Sequence, residues 1–143
     1  MKLCLGVLED KPEYNFDGTS DKTTYDVGME LEERYSLFSK FADNNMDSIV
    51  GFIDTACAEA IDALDAKVEV DPKDIFNGAS GEILQLFQKD INEESLAGVI
   101  SGVPTQRALA GLFRLKGDVP GPRRTSFIDS GELFNDLWVW VEP

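Results

Sequence analysis

The sequence contains no histidine and only two cysteines. The first absence removes the usual general base at neutral pH and the commonest metal ligand. The second leaves no disulfide framework and no zinc cluster, because Cys4 and Cys57 stand far apart and belong to no CxxC pair. Both cysteines lie inside apolar patterns and are expected to be reduced, buried core residues. Long apolar runs are missing too, since no stretch approaches the roughly 18 residues that a membrane-spanning helix requires. The opening MKLCLGVLED carries one lysine, a short apolar run and no small residues placed for cleavage, so neither a signal peptide nor a membrane partner is expected. Basic residues are scarce: 13 Lys and Arg stand against 27 Asp and Glu, a formal net charge of -14. A surface of that sign repels phosphate backbones, which argues against direct nucleic-acid binding. Gly81, Gly98, Gly102 and Gly111 build no phosphate-cradling loop and no GxxxxGK occurs, so no nucleotide, metal or other cofactor is expected.

What is present suits a globular fold. Apolar residues make up 43% and charged residues 28% of the 143, enough to bury a core and to expect a single domain over 1–143. Leu3 to Leu8 form an apolar run closed by Glu9-Asp10-Lys11-Pro12, the pattern of a strand covered on both faces. Turn formers dominate from Pro12 to Asp26, and Asp17, Asp21 and Asp26 there lack calcium-loop spacing. Leu31, Tyr35, Phe38 and Phe41 recur at helical spacing and predict an amphipathic helix over Met29 to Phe41. After the polar break at Ala42 to Asn45, a continuous stripe of Met46, Ile49, Val50, Ile53, Cys57, Ala60, Ile61 and Leu64 predicts a second helix over about 46–65.

Val68, Val70 and Ile75 around Pro72 suggest a short extended piece. Ile83, Leu84, Phe87 and Ile91 mark a third helix starting near Ser80, and a short helical stretch is expected over Glu94 to Ile100. Pro104 opens another helix, lined by Ala108, Leu109 and Leu112 and ending by Gly117. Leu137 to Val141 is apolar on both faces, with Trp138 and Trp140 on one, and is expected to be a strand buried or covered by a partner and paired with the opening one. The fold class expected is α+β: a small sheet of the N- and C-terminal strands packed against several helices.

Chemistry has few places to sit. Carboxylates alone could serve as acid and base, but among 27 of them no spacing marks a pair. Phe127-Ile128-Asp129-Ser130-Gly131 resembles the active-site turn of retroviral-type aspartic proteases, in which two aspartates share a proton. In those proteases most of a β-rich domain follows the turn, whereas here twelve residues remain after Gly131. A structural turn, with Asp129 and Ser130 bonding backbone and Gly131 supplying an unusual dihedral, is the preferred reading, and no catalytic residue is assigned. One charge feature stands out: Arg107, Arg114, Lys116, Arg123 and Arg124 are opposed only by Asp118 between Thr105 and Arg124. They are either ordinary surface paired within the fold or a docking segment. Trp138 and Trp140 lack positive charge beside them and suit a core or interface anchor better than a base-stacking platform.

The stretch from Gly102 to Glu142 resembles small bacteriophage virion proteins of the tail-completion or virion-morphogenesis kind. The residues that carry the likeness are Gly102-Val103-Pro104-Thr105, Ala108-Leu109-Ala110-Gly111, Arg123 through Leu133, and Trp138-Val139-Trp140-Val141-Glu142. The resemblance implies a non-enzymatic structural subunit of a tail or neck, made in the host cytoplasm and resident in the virion. It implies assembly with copies of itself, as a ring, and with neighbouring virion proteins. Candidate interaction residues are then Arg107, Arg114, Lys116, Arg123, Arg124, Phe127, Asp129, Gly131, Trp138 and Trp140. Two other readings stay open: an acidic cytoplasmic adaptor or inhibitor that mimics nucleic acid, and a hydrolase built on carboxylates.

Overall fold

The computed structural model describes residues 2–7, 23–71, 74–112, 119–128 and 131–142. In it β1 (Lys2–Val7) and β2 (Leu137–Glu142) form a two-stranded antiparallel sheet, so the two ends of the chain pair as expected. The register runs from Lys2 opposite Glu142 to Val7 opposite Leu137. Side chains alternate across a strand and paired residues share a face, so Leu3, Leu5, Val7, Leu137, Val139 and Val141 point one way. That face meets the helices, and Val7, Leu137 and Val139 are buried in the core.

The opposite face is covered less completely: on β1 Gly6 is buried and Cys4 half-buried, while β2 is open at Trp138. Cys4, Gly6, Trp138 and Trp140 lie there, and Trp138 is 45% exposed. Among the described residues a single helical layer covers one side of the two-stranded sheet, and the other side is shielded mainly by its own indoles. The Trp140 ring lies over Gly6, where an added Cβ would stand 3.6 Å from it. Its Nε1 donates to Glu142 Oε1 at 3.2 Å, while Lys2 pairs with the same carboxylate at 3.2 Å.

Helices supply the rest of the core. The predicted helix over 29–41 is in fact two, α1 (Thr24–Tyr35) and α2 (Leu37–Asn44), broken at Ser36, whose φ of 50° is left-handed. Thr23 opens α1 with a capping box, its Oγ1 accepting from the Asp26 N–H while the Asp26 carboxylate accepts from the Thr23 N–H at 2.9 Å. Glu32 makes the break tolerable: its carboxylate accepts the Phe38 N–H at 2.8 Å and bonds the Ser39 hydroxyl, satisfying donors in the first turn of α2.

The predicted helix at 46–65 is α3 (Met46–Asp65). Asn45, between α2 and α3, donates to the Phe41 carbonyl and, at 2.8 Å, to the buried Asp90 of α4 (Asn77–Asn92). This polar bridge ties three helices at one point. Beside it Phe41 and Phe87 have ring centroids 4.6 Å apart at the centre of a cluster with Leu37, Ile83, Ile91, Leu96 and Ile100. β2 packs on α4 and β1 on α1, where Gly28 lets Val7 approach.

Between Glu94 and Ile100 the chain forms successive turns, not the helical stretch expected, with Glu94 at φ 52°. The segment around Val68 and Val70 forms no strand with any described residue. The helix expected from Pro104 is the four-residue α5 (Gln106–Leu109), capped by the Thr105 hydroxyl; its proposed continuation toward Gly117 falls largely outside the described residues. A last short helix, α6 (Glu132–Asn135), leads into β2. No helix among the described residues is long and apolar enough to cross a membrane.

Candidate functional site

Among the described residues singled out in the last third of the chain, Arg123 and Arg124 are engaged within the fold. Arg124 turns inward. Its guanidinium donates to the carbonyls of Leu112 at 2.7 Å, Thr125 at 3.1 Å and Ile128 at 2.8 Å, and its own N–H donates to the Ala108 carbonyl at 3.0 Å. A planar fork with several donors is suited to gathering backbone carbonyls from different turns, and here it holds the segments after α5 and before α6 together.

Arg123 is tied down as well, by an ion pair with Glu94. The other Glu94 oxygen accepts from the Ser126 N–H at 3.1 Å and from its hydroxyl at 3.3 Å, and Ser126 Oγ accepts from the Thr105 N–H at 3.1 Å. Ser126 is fully buried, so this chain of bonds satisfies polar groups that would otherwise cost a desolvation penalty. Behind it Asp90, Glu94, Leu96, Val103, Ser126 and Phe127 line a cavity of 10 Å³, room for about one water and far too small for an organic substrate.

Backbone geometry sets the same region. Gly111 has φ 64°, and a Cβ there would lie 2.2 Å from the Gly121 carbonyl oxygen, so two stretches of main chain touch where only glycine fits. Phe127 also lies in the left-handed region, at φ 67°, and its ring meets Tyr35 edge-on at 5.4 Å. The cost of such a dihedral, about 1–2 kcal/mol, is offset by that contact and by the Arg124 clamp on the next carbonyl. Gly131 has the unusual dihedral expected of it, φ 87°. Arg107 is exposed and makes contacts of its own. Arg114, Lys116 and Asp129 lie outside the described residues. Among the described residues, no three of His, Cys, Asp and Glu converge as a metal site would require.

A different surface emerges on α3, whose apolar stripe predicts the helix and places Cys57 in the core. Ala56 is its only buried residue. Phe52, Ala56 and Ala63 face inward with Ile49, and α3 packs on α4 and α2. Met46 is 49% exposed, Val50 46%, Ile61 59% and Leu64 58%. Cys57, expected to be buried, is half-buried within this outward strip, because the apolar face, stripe plus Phe52, Ala56 and Ala63, spans about half the helix circumference and among the described residues α4 and α2 cover only one side of it. The signal was in the sequence: the stripe is wider than one helix contact uses. Periodicity reports which residues are apolar, not what covers them.

No family model, curated protein or solved structure matches this chain.

Proposed function

We propose that this chain is a non-enzymatic structural subunit of a bacteriophage tail or neck, working through contacts with copies of itself and with neighbouring virion proteins. The virion setting rests on the likeness of Gly102 to Glu142 to tail-completion proteins. The observation that carries the binding role is the exposed apolar strip of α3: an isolated chain rarely leaves four large aliphatic side chains on one helix face in water unless another protein covers them. The residues around Arg124 have a complementary part in this reading. Arg123 and Arg124 are engaged within the chain, where they fix the segment leading to α6, so self-assembly draws on other candidates, the exposed Arg107 and Trp138.

The test is incorporation. Particles purified from an infected culture that expresses a tagged chain should carry the tag at fixed stoichiometry in the tail or neck fraction, and a chain-deletion phage should accumulate unjoined heads or tails. A deletion phage that yields normal infectious particles lacking the protein would overturn the reading.

A further inference from the structure

The outward face of α3 has a more specific pattern than an apolar patch. Met46, Val50, Ile53, Cys57, Ala60 and Leu64 are separated by alternating steps of four and three residues, the spacing of a coiled-coil seam. All six are exposed or half-buried. The helix is 20 residues long, about 30 Å, so the seam offers nearly three heptads to a partner helix. In its middle Cys57 and Ala60 are small beside Ile53 and Leu64, a dip shaped for one large apolar knob.

The charge around the seam says what can lie there. Asp47 and Asp54 border it on the solvent side, with Asp65 next to them and Glu59 and Asp62 further round; α3 has no lysine or arginine. The other border, Ile49 and Ala56, belongs to the packed side of the helix. A second copy fits poorly. In an antiparallel pair of α3 helices the two acidic borders face each other, and in a parallel pair each presses on Ile49 and Ala56, which offer no counter-charge. A chain of net charge -14 adds long-range repulsion to both arrangements.

We propose that the outward face of α3 binds an amphipathic helix of a different protein, one whose apolar seam is bordered by lysine or arginine. This rests on the binding role argued above and names its partner's chemistry. Apolar burial along the seam supplies most of the affinity, and the cationic border sets orientation and excludes a second copy.

The full chain is titrated, by fluorescence anisotropy, with a synthetic peptide of about three heptads that has leucine at its seam positions and lysine at its borders. Two controls are the same seam with glutamate borders and a scrambled peptide of the lysine composition. The lysine-bordered peptide should bind at least about tenfold more tightly than either control, and the Val50→Asp/Ile61→Asp double variant should lose that binding while keeping its circular dichroism. Bound peptide should also slow labelling of Cys57. Equal binding of all three peptides, no binding of any, or unchanged binding by the double variant would each overturn the proposal. So would a dimer in sedimentation that the double variant dissociates, since a second copy would then occupy the face. A protein that binds the lysine-bordered peptide but is absent from particles keeps this inference and loses the virion reading; a double variant that enters particles normally does the reverse.

Discussion

The outer face of α3 and the segment from Thr105 to Ile128 invert the usual relation between residue type and position. On α3 aliphatic side chains stand in water, with Ile61 59% exposed, while in the later segment two arginines are used internally, Arg124 on three carbonyls and Arg123 on Glu94. The first region leaves apolar surface open to water, whereas Arg123 and Arg124 in the second are met within the chain. An arginine with its donors satisfied within the chain has little left to offer a partner, whereas an apolar helix face open to water gains from every partner that covers it.

Substitutions can break this contrast in order of expected size. Gly111→Ala should be the most damaging, at about 3 kcal/mol or more, since the new methyl meets the Gly121 carbonyl and the dihedral is left-handed. Urea unfolding should show it as a lowered midpoint, and an unchanged midpoint would mean that the two backbones can part freely. Arg124→Ala should follow at about 2–3 kcal/mol, because several carbonyls lose a charged donor together. Arg124→Lys should recover only a fraction of that, as an ammonium cannot reach three carbonyls in the guanidinium's fork. Full recovery by lysine would reduce Arg124 to a simple surface charge.

Smaller effects sharpen the other side of the comparison. Val50→Ser and Ile61→Ser, at exposed positions, should each change stability by less than about 0.5 kcal/mol, and a loss of 2 kcal/mol or more would show that the face is already covered within the chain. The thiol of Cys57 should be labelled faster than a core cysteine in the native protein, in keeping with its half-buried place. The smallest effect belongs to the sheet end. The Trp140 indole N–H, and then Lys2, hold the Glu142 carboxyl below its usual pKa. A depressed carboxylate contributes stability above its ordinary pKa and loses it as pH falls through the lowered value. Glu142→Gln should thus lower stability slightly at neutral pH, leave it unchanged at the acid extreme where the carboxyl is already protonated, and so flatten the slope between them, followed by tryptophan fluorescence.

Much of the architecture was legible in the residues. The bounds of α3 and the pairing of the end strands follow from apolar periodicity, which is a strong local signal. The break between α1 and α2 was not, because it rests on a serine in a left-handed dihedral and a cap donated from the preceding turn by Glu32, a residue that looks like ordinary helix surface. The Arg124 clamp was hidden for a related reason: its partners are backbone carbonyls, which every residue has and no sequence pattern marks. The α3 seam was visible as a stripe, yet its openness depends on how many neighbours the fold provides, which is a tertiary fact.

The pairing of Lys2–Val7 with Leu137–Glu142 also imposes an order on biosynthesis. β1 is translated before all the helices, and its only strand partner among the described residues emerges more than a hundred residues later. At about 5–20 residues per second that interval is on the order of ten seconds, while helices and their local contacts form in far less than a millisecond. The helical layer is thus available before the sheet, and β1 spends the interval as an unpaired edge whose apolar face, Leu3, Leu5 and Val7, has only helices to lean on. Completion of the sheet therefore waits on synthesis of β2, well after the helices have formed.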